Sequence, residues 1–137
     1  MKTNKSWAEK LNCTKPHEVK PAPISIAGMK AGQIMLVPTP KMIDDFIRAI
    51  PQGTSMDVKI MRQQLAAKYN AEVTCPIYTG FHLKTVAEAA FEAFNQGAPL
   101  NAVTPIWRVL DERTPTTKKL SYDTAFIFQQ RLREGLK

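Results

Sequence analysis

Three groups of residues in this chain carry side chains suited to meeting a polyanion. His82, Lys84 and Thr85 stand together in a stretch of helical periodicity, and the first turns of a helix favour phosphate through their free N–H groups and macrodipole. Trp107 is followed directly by Arg108. That pair offers an aromatic platform and a cation to a base drawn out of a duplex, an event that needs a stacking partner. Its other reading is a core tryptophan beside an arginine paired with a carboxylate. Lys118 and Lys119 supply either a further phosphate contact or a plain solvated pair.

The thiols point to different chemistry. Cys75 as a nucleophile would need a depressed pKa and a base, and His82 is the sole candidate within local reach. Otherwise Cys75-Pro76 shapes the turn into the next helix. Cys13 and Cys75 allow at most one disulfide, which reducing surroundings disfavour. Neither has a second cysteine or a paired histidine at metal-ligand spacing, and His17 and His82 are isolated, so no metal and no cofactor are expected.

At 137 residues a single core is the default. A composition 44% hydrophobic and 23% charged argues against wholesale disorder. No apolar run approaches the roughly 18 residues that span a bilayer, and the opening MKTNKSWAEKLNC is too polar for a signal peptide. The expectation is a soluble, cytoplasmic monomer with no membrane partner. The formal charge is +7, and residues 1–30 hold Lys2, Lys5, Lys10, Lys15, Lys20 and Lys30 against Glu9 and Glu18, a net of +4 that leaves +3 for the rest. A basic arm over 1–32 joined to a domain over 33–137 suits duplex DNA, since lysines near phosphates release condensed counterions. A solubilising tail has the same composition.

The elements that must position these residues follow from periodicity and caps. Ser6–Leu11 reads as a short helical patch, and Pro16, Pro21 and Pro23 as an extended stretch. Gln33–Val37 reads as a short buried strand. Thr39-Pro40 has the shape of an N-cap with proline at the first helical position, and Met42, Phe46, Ile47 and Ile50 share one face of the helix it opens. Pro51-Gln52-Gly53 ends that helix in a turn. Asp57 caps a helix over Val58–Tyr69 whose stripe is Ile60, Met61, Leu65 and Tyr69.

After a connector containing Asn70, Cys75-Pro76 and Gly80, a long helix runs from about Thr79 to Asn95, closed by Gly97. Its apolar face is Leu83, Val86, Ala87, Ala90 and Phe94, with His82, Thr85, Glu88 and Glu92 opposite. Trp107–Leu110 reads as a short strand, Asp111–Thr117 as a polar turn, and Ser121 or Asp123 as the cap of a last helix that runs to Arg133 before Gly135. The fold class is α+β, mainly helical, with an order that fits a winged helix-turn-helix.

Four segments resemble the C-terminal domain of the O6-alkylguanine-DNA alkyltransferases and their alkyltransferase-like relatives. Ile50-Pro51-Gln52-Gly53, leading to Gln63-Gln64-Leu65-Ala66, is similar to the family's V-P-x-G lead-in to the first helix of the helix-turn-helix. Lys84-Thr85-Val86-Ala87-Glu88-Ala89 resembles the R-A-V-G-x-A run of the recognition helix. Pro105-Ile106-Trp107-Arg108-Val109 stands where the family has P-C-H-R-V. The ending Gln129-Gln130-Arg131-Leu132-Arg133-Glu134-Gly135 resembles the closing helix and its L-x-x-E-G. Together the four cover about residues 34–135 in the family's order.

The departures decide the chemistry. Ile106 stands at the position of the alkyl-accepting cysteine and Trp107 at that of its activating histidine; neither side chain is a nucleophile or a base. Lys84 matches the arginine that fills the gap left by a flipped nucleotide, but it lacks a planar fork. The resemblance therefore implies noncatalytic duplex-DNA binding through His82, Lys84, Thr85, Trp107, Arg108, Lys118 and Lys119, with recognition of O6-alkylguanine or another flippable base and repair proteins as partners. The alternatives are an alkyltransferase using Cys75, and an interaction or RNA-associated adaptor that keeps only the fold.

Overall fold

Ser6 and Glu9 form a capping box that opens α1, Trp7–Leu11: the serine hydroxyl accepts from the Glu9 N–H while the glutamate reaches back to the Ser6 N–H. The computed structural model describes residues 6–136, so Lys2 and Lys5 of the expected arm lie outside the described residues. From Ser6 onward the expected arm is built into the folded body. Glu92 accepts hydrogen bonds from the N–H groups of Trp7 and Ala8, both at 3.2 Å, satisfying two of the donors that a helix start leaves open.

Strand β1, Glu18–Pro21, pairs antiparallel with β2, Ile34–Val37, from Glu18↔Val37 to Pro21↔Ile34. On its other side β2 pairs parallel with β3, Val73–Thr74, giving the order β1-β2-β3. Pro21, Pro23 and the lysines hid β1 in the sequence. An edge strand tolerates a proline because one row of its N–H groups is not used in the ladder.

Helix α2, Pro40–Arg48, starts as expected, with the Thr39 hydroxyl accepting from Met42 N–H at 3.2 Å. Its buried face is turned from the expected one: Ile43 and Ile47 are fully buried, while Met42 and Phe46 are half-buried. Asp44 lies on the inner face, taking the Thr104 hydroxyl and the Arg48 Nε–H, the latter at 3.0 Å. Asp57 caps α3, Val58–Lys68, whose Met61, Leu65 and Ala66 are buried and whose Ile60, placed on the stripe by periodicity, faces solvent.

Helix α4 spans Pro76–Asn95 and so begins before Thr79, with Gly80 inside it. The reason is local: Cys75 is the N-cap, Pro76 is pre-set for a first helical position, and the Cys75 carbonyl accepts both the N–H and the hydroxyl of Thr79. Leu83, Val86, Ala87 and Ala90 are buried as their spacing predicts, whereas Phe94 is exposed. Helix α5, Ala125–Arg133, has Thr124 and not Ser121 or Asp123 as its N-cap, although Asp123, one residue earlier, accepts from the Ala125 N–H at 2.9 Å.

The segment between α4 and α5 departs most from expectation. Ile106–Arg108 is a 3-10 turn, and no strand forms at Trp107–Leu110. Pro105 holds φ at −78°, Arg108 N–H returns to the Pro105 carbonyl and Leu110 N–H to that of Ile106. Ile106, Trp107, Val109 and Leu110 are all buried, and a short apolar run reads the same for a strand and for a fully enclosed turn. Asp111 then takes the N–H groups of Arg113 and Thr114, and Pro115–Lys119 forms another 3-10 turn, the third of this segment after Leu100–Ala102 and Ile106–Arg108. Where a wing was expected, the described residues carry two tight turns. Among the described residues no helix is long and apolar enough to cross a membrane.

Candidate nucleic-acid interface

Glu134 joins three of the four segments that carry the family resemblance. One carboxylate oxygen accepts from Gly53 N–H and Arg108 Nε–H, each at 3.0 Å; the other accepts from Trp107 Nε1–H at 2.7 Å and an Arg108 terminal N–H at 3.0 Å. Arg108 also donates to the Ile50 carbonyl at 2.8 Å. The Glu134 side chain is 2% exposed and that of Arg108 14%. Burial by itself would raise the Glu134 pKa, but the Arg108 hydrogen bond, the Gly53 N–H, the Trp107 indole and the Arg108 charge outweigh it and hold the carboxyl at about 2. Gly53 meets Glu134 with φ +82°, a conformation that strains a residue carrying Cβ.

This geometry corrects the expected role of Trp107 and Arg108. Trp107 is 2% exposed, packs edge-on against Phe126 at 6.0 Å and spends its indole N–H on Glu134. No face is open to a base, and the Arg108 fork is committed to a carboxylate. Arg131, from the closing segment, is 5% exposed and donates to the carbonyls of Trp107 and Leu110. Ile106, at the acceptor position of the resembling enzymes, is fully buried.

Cys75 is 4% exposed and packs with Ala22, Met29 and Met35. The expectation of an alternative nucleophile there is corrected: the residue caps α4, donates its N–H to Leu36 at 2.8 Å and is closed off from substrate. Cys13 is exposed. Among the described residues no three His, Cys, Asp or Glu side chains group closely enough to hold a metal ion.

His82 and Thr85 lie on one side of α4 and Lys84 on another, and both sides are partly occupied. Lys84 reaches Glu88 at 3.1 Å and lies 5.1 Å above the Trp7 ring. Glu88, expected on the open side, is 3% exposed because it also takes the N–H and hydroxyl of Ser121 at 2.7 and 2.5 Å. Thr85 donates to the Phe81 carbonyl. His82 is half-buried; burial lowers its pKa, against the Pro38 carbonyl, which favours the protonated ring, and with help from Lys15.

What remains open is a groove of about 700 Å³ between the start of α3, the first turns of α4 and the turn at Pro115–Lys119. Arg62, Lys84 and Lys119 line it together with Ile77, Phe81 and Thr116, and no carboxylate does among the described residues. Lys118 is exposed but lines a separate shallow cleft with Glu112 and Asp123. Arg62 lies off the Met61 and Leu65 stripe of α3, on the side that lines the groove with α4. Ile77, Tyr78 and Phe81 were missed as well; Phe81 is 64% exposed. The available signal was that these apolar residues fall off the Leu83, Val86, Ala87 and Ala90 stripe.

No protein-family model matches this chain, and no curated protein or solved structure does either. The class that the fold and groove define is an α+β protein with a cationic cleft at the head of its longest helix.

Proposed function

We propose that this protein binds duplex DNA without catalysis, presenting the first turns of α4 to the duplex with α3 as the supporting helix of a helix-turn-helix. The observation that carries this reading is the groove itself: three cations converge at the start of a 20-residue helix with no carboxylate among the groove's lining residues. Guanidinium and ammonium groups there neutralise phosphates, and the helix start adds its own N–H donors. The resemblance to the alkyltransferase-like proteins supports duplex over single strands as the main partner. A preference for O6-alkylguanine or another flippable base, leading to recruitment of repair proteins, belongs to the same proposal. With Trp107 and Arg108 committed to Glu134, Lys84 is the remaining residue for that preference, and it would have to leave Glu88 to serve it.

Fluorescence anisotropy with a labelled duplex at one fixed salt concentration tests the reading. Replacing Arg62 and Lys119 by alanine should weaken binding about tenfold, the order expected when two phosphate contacts are lost. Lys41→Ala, removing a lysine already paired with Asp45 at 3.2 Å on α2, should leave affinity unchanged. Equal weakening by both variants would reduce the effect to net charge and discard the groove. Tighter binding of an RNA duplex would favour the RNA-associated adaptor instead.

A further inference from the structure

Phe81 forms a ridge between the cationic groove and a second cleft of different chemistry. This cleft, about 630 Å³, lies between residues 9–18, the segment Val37–Pro40 and the start of α4. Its volume is that of a small-molecule site. Tyr78, Phe81 and His82 all line it. The Tyr78 ring stands edge-on to Phe81 at 6.5 Å and tilted by 34° to His82 at 5.9 Å. Phe81 and Tyr78 keep much of their area in water, 64% and 43%, whereas Leu83, Val86, Ala87 and Ala90 on the inner face of the same helix are buried.

The rim is charged in a way that suits an anionic group. Lys10 and Lys15 line it alongside Glu9 and Glu18. Each carboxylate is already engaged, Glu9 in the capping box with Ser6 and Glu18 with Lys20 at 2.9 Å. Lys15 lies near enough to bias the titration of both His82 and Glu18, so its charge is felt inside the cleft.

We propose that this cleft is a nucleotide site, in which a planar base stacks on Tyr78 and meets Phe81 edge-on, and its phosphate turns toward Lys10 and Lys15. Edge recognition comes from His82 and Thr85. The depressed His82 pKa keeps the ring neutral near pH 7, and with one ring N–H directed at the Pro38 carbonyl the other nitrogen is an acceptor. The Thr85 hydroxyl donates to the Phe81 carbonyl at 3.2 Å and retains lone pairs for an amino group. A base with an exocyclic amine, such as adenine or cytosine, fits that pair of acceptors. The nucleotide has two sources, a free nucleoside monophosphate or an unpaired position in a strand, and both bring the same chemistry. The site rests on residues apart from the duplex groove except for the shared ridge at Phe81 and the neighbouring helix.

Calorimetric titration of the full chain with adenosine monophosphate, with ribose phosphate as the baseless control, and with a short single strand tests the assignment. Saturable binding of the nucleotide or the strand, with ribose phosphate at least tenfold weaker, is expected. Tyr78→Ala should weaken it about 5- to 100-fold, the range that loss of one stacking contact gives. Phe81→Leu, which keeps an apolar side chain but no ring, should do the same and guards against a folding defect in either variant. Strand binding without free-nucleotide binding assigns the site to unpaired positions, and the reverse assigns it to the free nucleotide. Ribose phosphate binding as tightly as the nucleotide, affinity unmoved in both variants, or no binding of either ligand overturns the proposal. Tyr78 does not line the duplex groove, so Tyr78→Ala protein that still binds duplex while losing nucleotide separates the two sites. Nucleotide binding without duplex binding removes the DNA reading and leaves this site standing.

Discussion

Replacing Glu134 by alanine should cost this fold about 3 to 5 kcal/mol, the range for stripping one partner from a buried ion pair. The structure sets that magnitude. The side chain is 2% exposed and accepts from Gly53, Trp107 and Arg108 at 2.7 to 3.0 Å. Its loss leaves the Arg108 guanidinium with the Ile50 carbonyl and leaves the Trp107 indole N–H without Glu134. Glu134→Gln keeps the shape and removes the charge. Holding the carboxyl at about 2 rather than the ordinary 4.5 amounts to about 3 kcal/mol, and screening at the open edge of the site lowers this to about 2 kcal/mol for the glutamine variant.

For a chain of this size each kcal/mol moves the melting point by about 4 °C, so Glu134→Ala should melt roughly 12 to 20 °C below the parent. The folded carboxyl is more acidic than the unfolded one. Its contribution is therefore complete above pH 4.5 and disappears as pH falls from 4.5 toward 2. Urea unfolding followed by circular dichroism, at neutral pH and again in that acid window, should show the gap between parent and Glu134→Gln closing as acid is added. A loss below about 1 kcal/mol in Glu134→Ala, or a gap independent of pH, would refute the assignment of Trp107 and Arg108 to this buried cluster.

Three further outcomes follow from burial. In the native protein Cys13 should react at once with a thiol-specific disulfide reagent and Cys75 only after denaturation; incubation with DNA containing O6-methylguanine should leave the mass unchanged, and a gain of one methyl abolished by Cys75→Ser would contradict this. His82 has a folded pKa below the ordinary 6.5 because burial disfavours its charge, so the histidine should cost stability as pH falls through 6.5, and His82→Gln should flatten that part of the stability–pH curve; a curve unchanged by the substitution would count against its burial.

The local rules that transferred from sequence to structure were those with a mechanism one turn long. Thr39-Pro40 and Asp57 cap the helices they precede, because capping depends on three or four neighbouring residues. The spacing of Leu83, Val86, Ala87 and Ala90 gave the inner face of α4 correctly. What was not legible depends on partners distant in the chain. Glu88 looked solvated until Ser121, 33 positions away, closed over it. Trp107 and Arg108 carried two readings, and only the arrival of Glu134 from α5 chose between them. Strand β1 was hidden because a four-residue edge strand gains its identity from β2 rather than from its own composition. The candidate site divided along the same line. Its lysines were visible as charges, while Arg62 and the exposed ring of Phe81 acquired meaning only when α3 and α4 set them around one groove.

The most direct test of the central claim is the salt dependence of duplex binding. With Lys84 paired to Glu88, Arg62, Lys118 and Lys119 offer about three phosphate contacts, so log K against log salt should fall with a slope of roughly −3. Replacing Lys118 and Lys119 with alanine should make it shallower by about 2 and weaken alkylated and normal duplexes alike. Absence of binding at low salt, or a slope that those substitutions leave unchanged, would contradict the account.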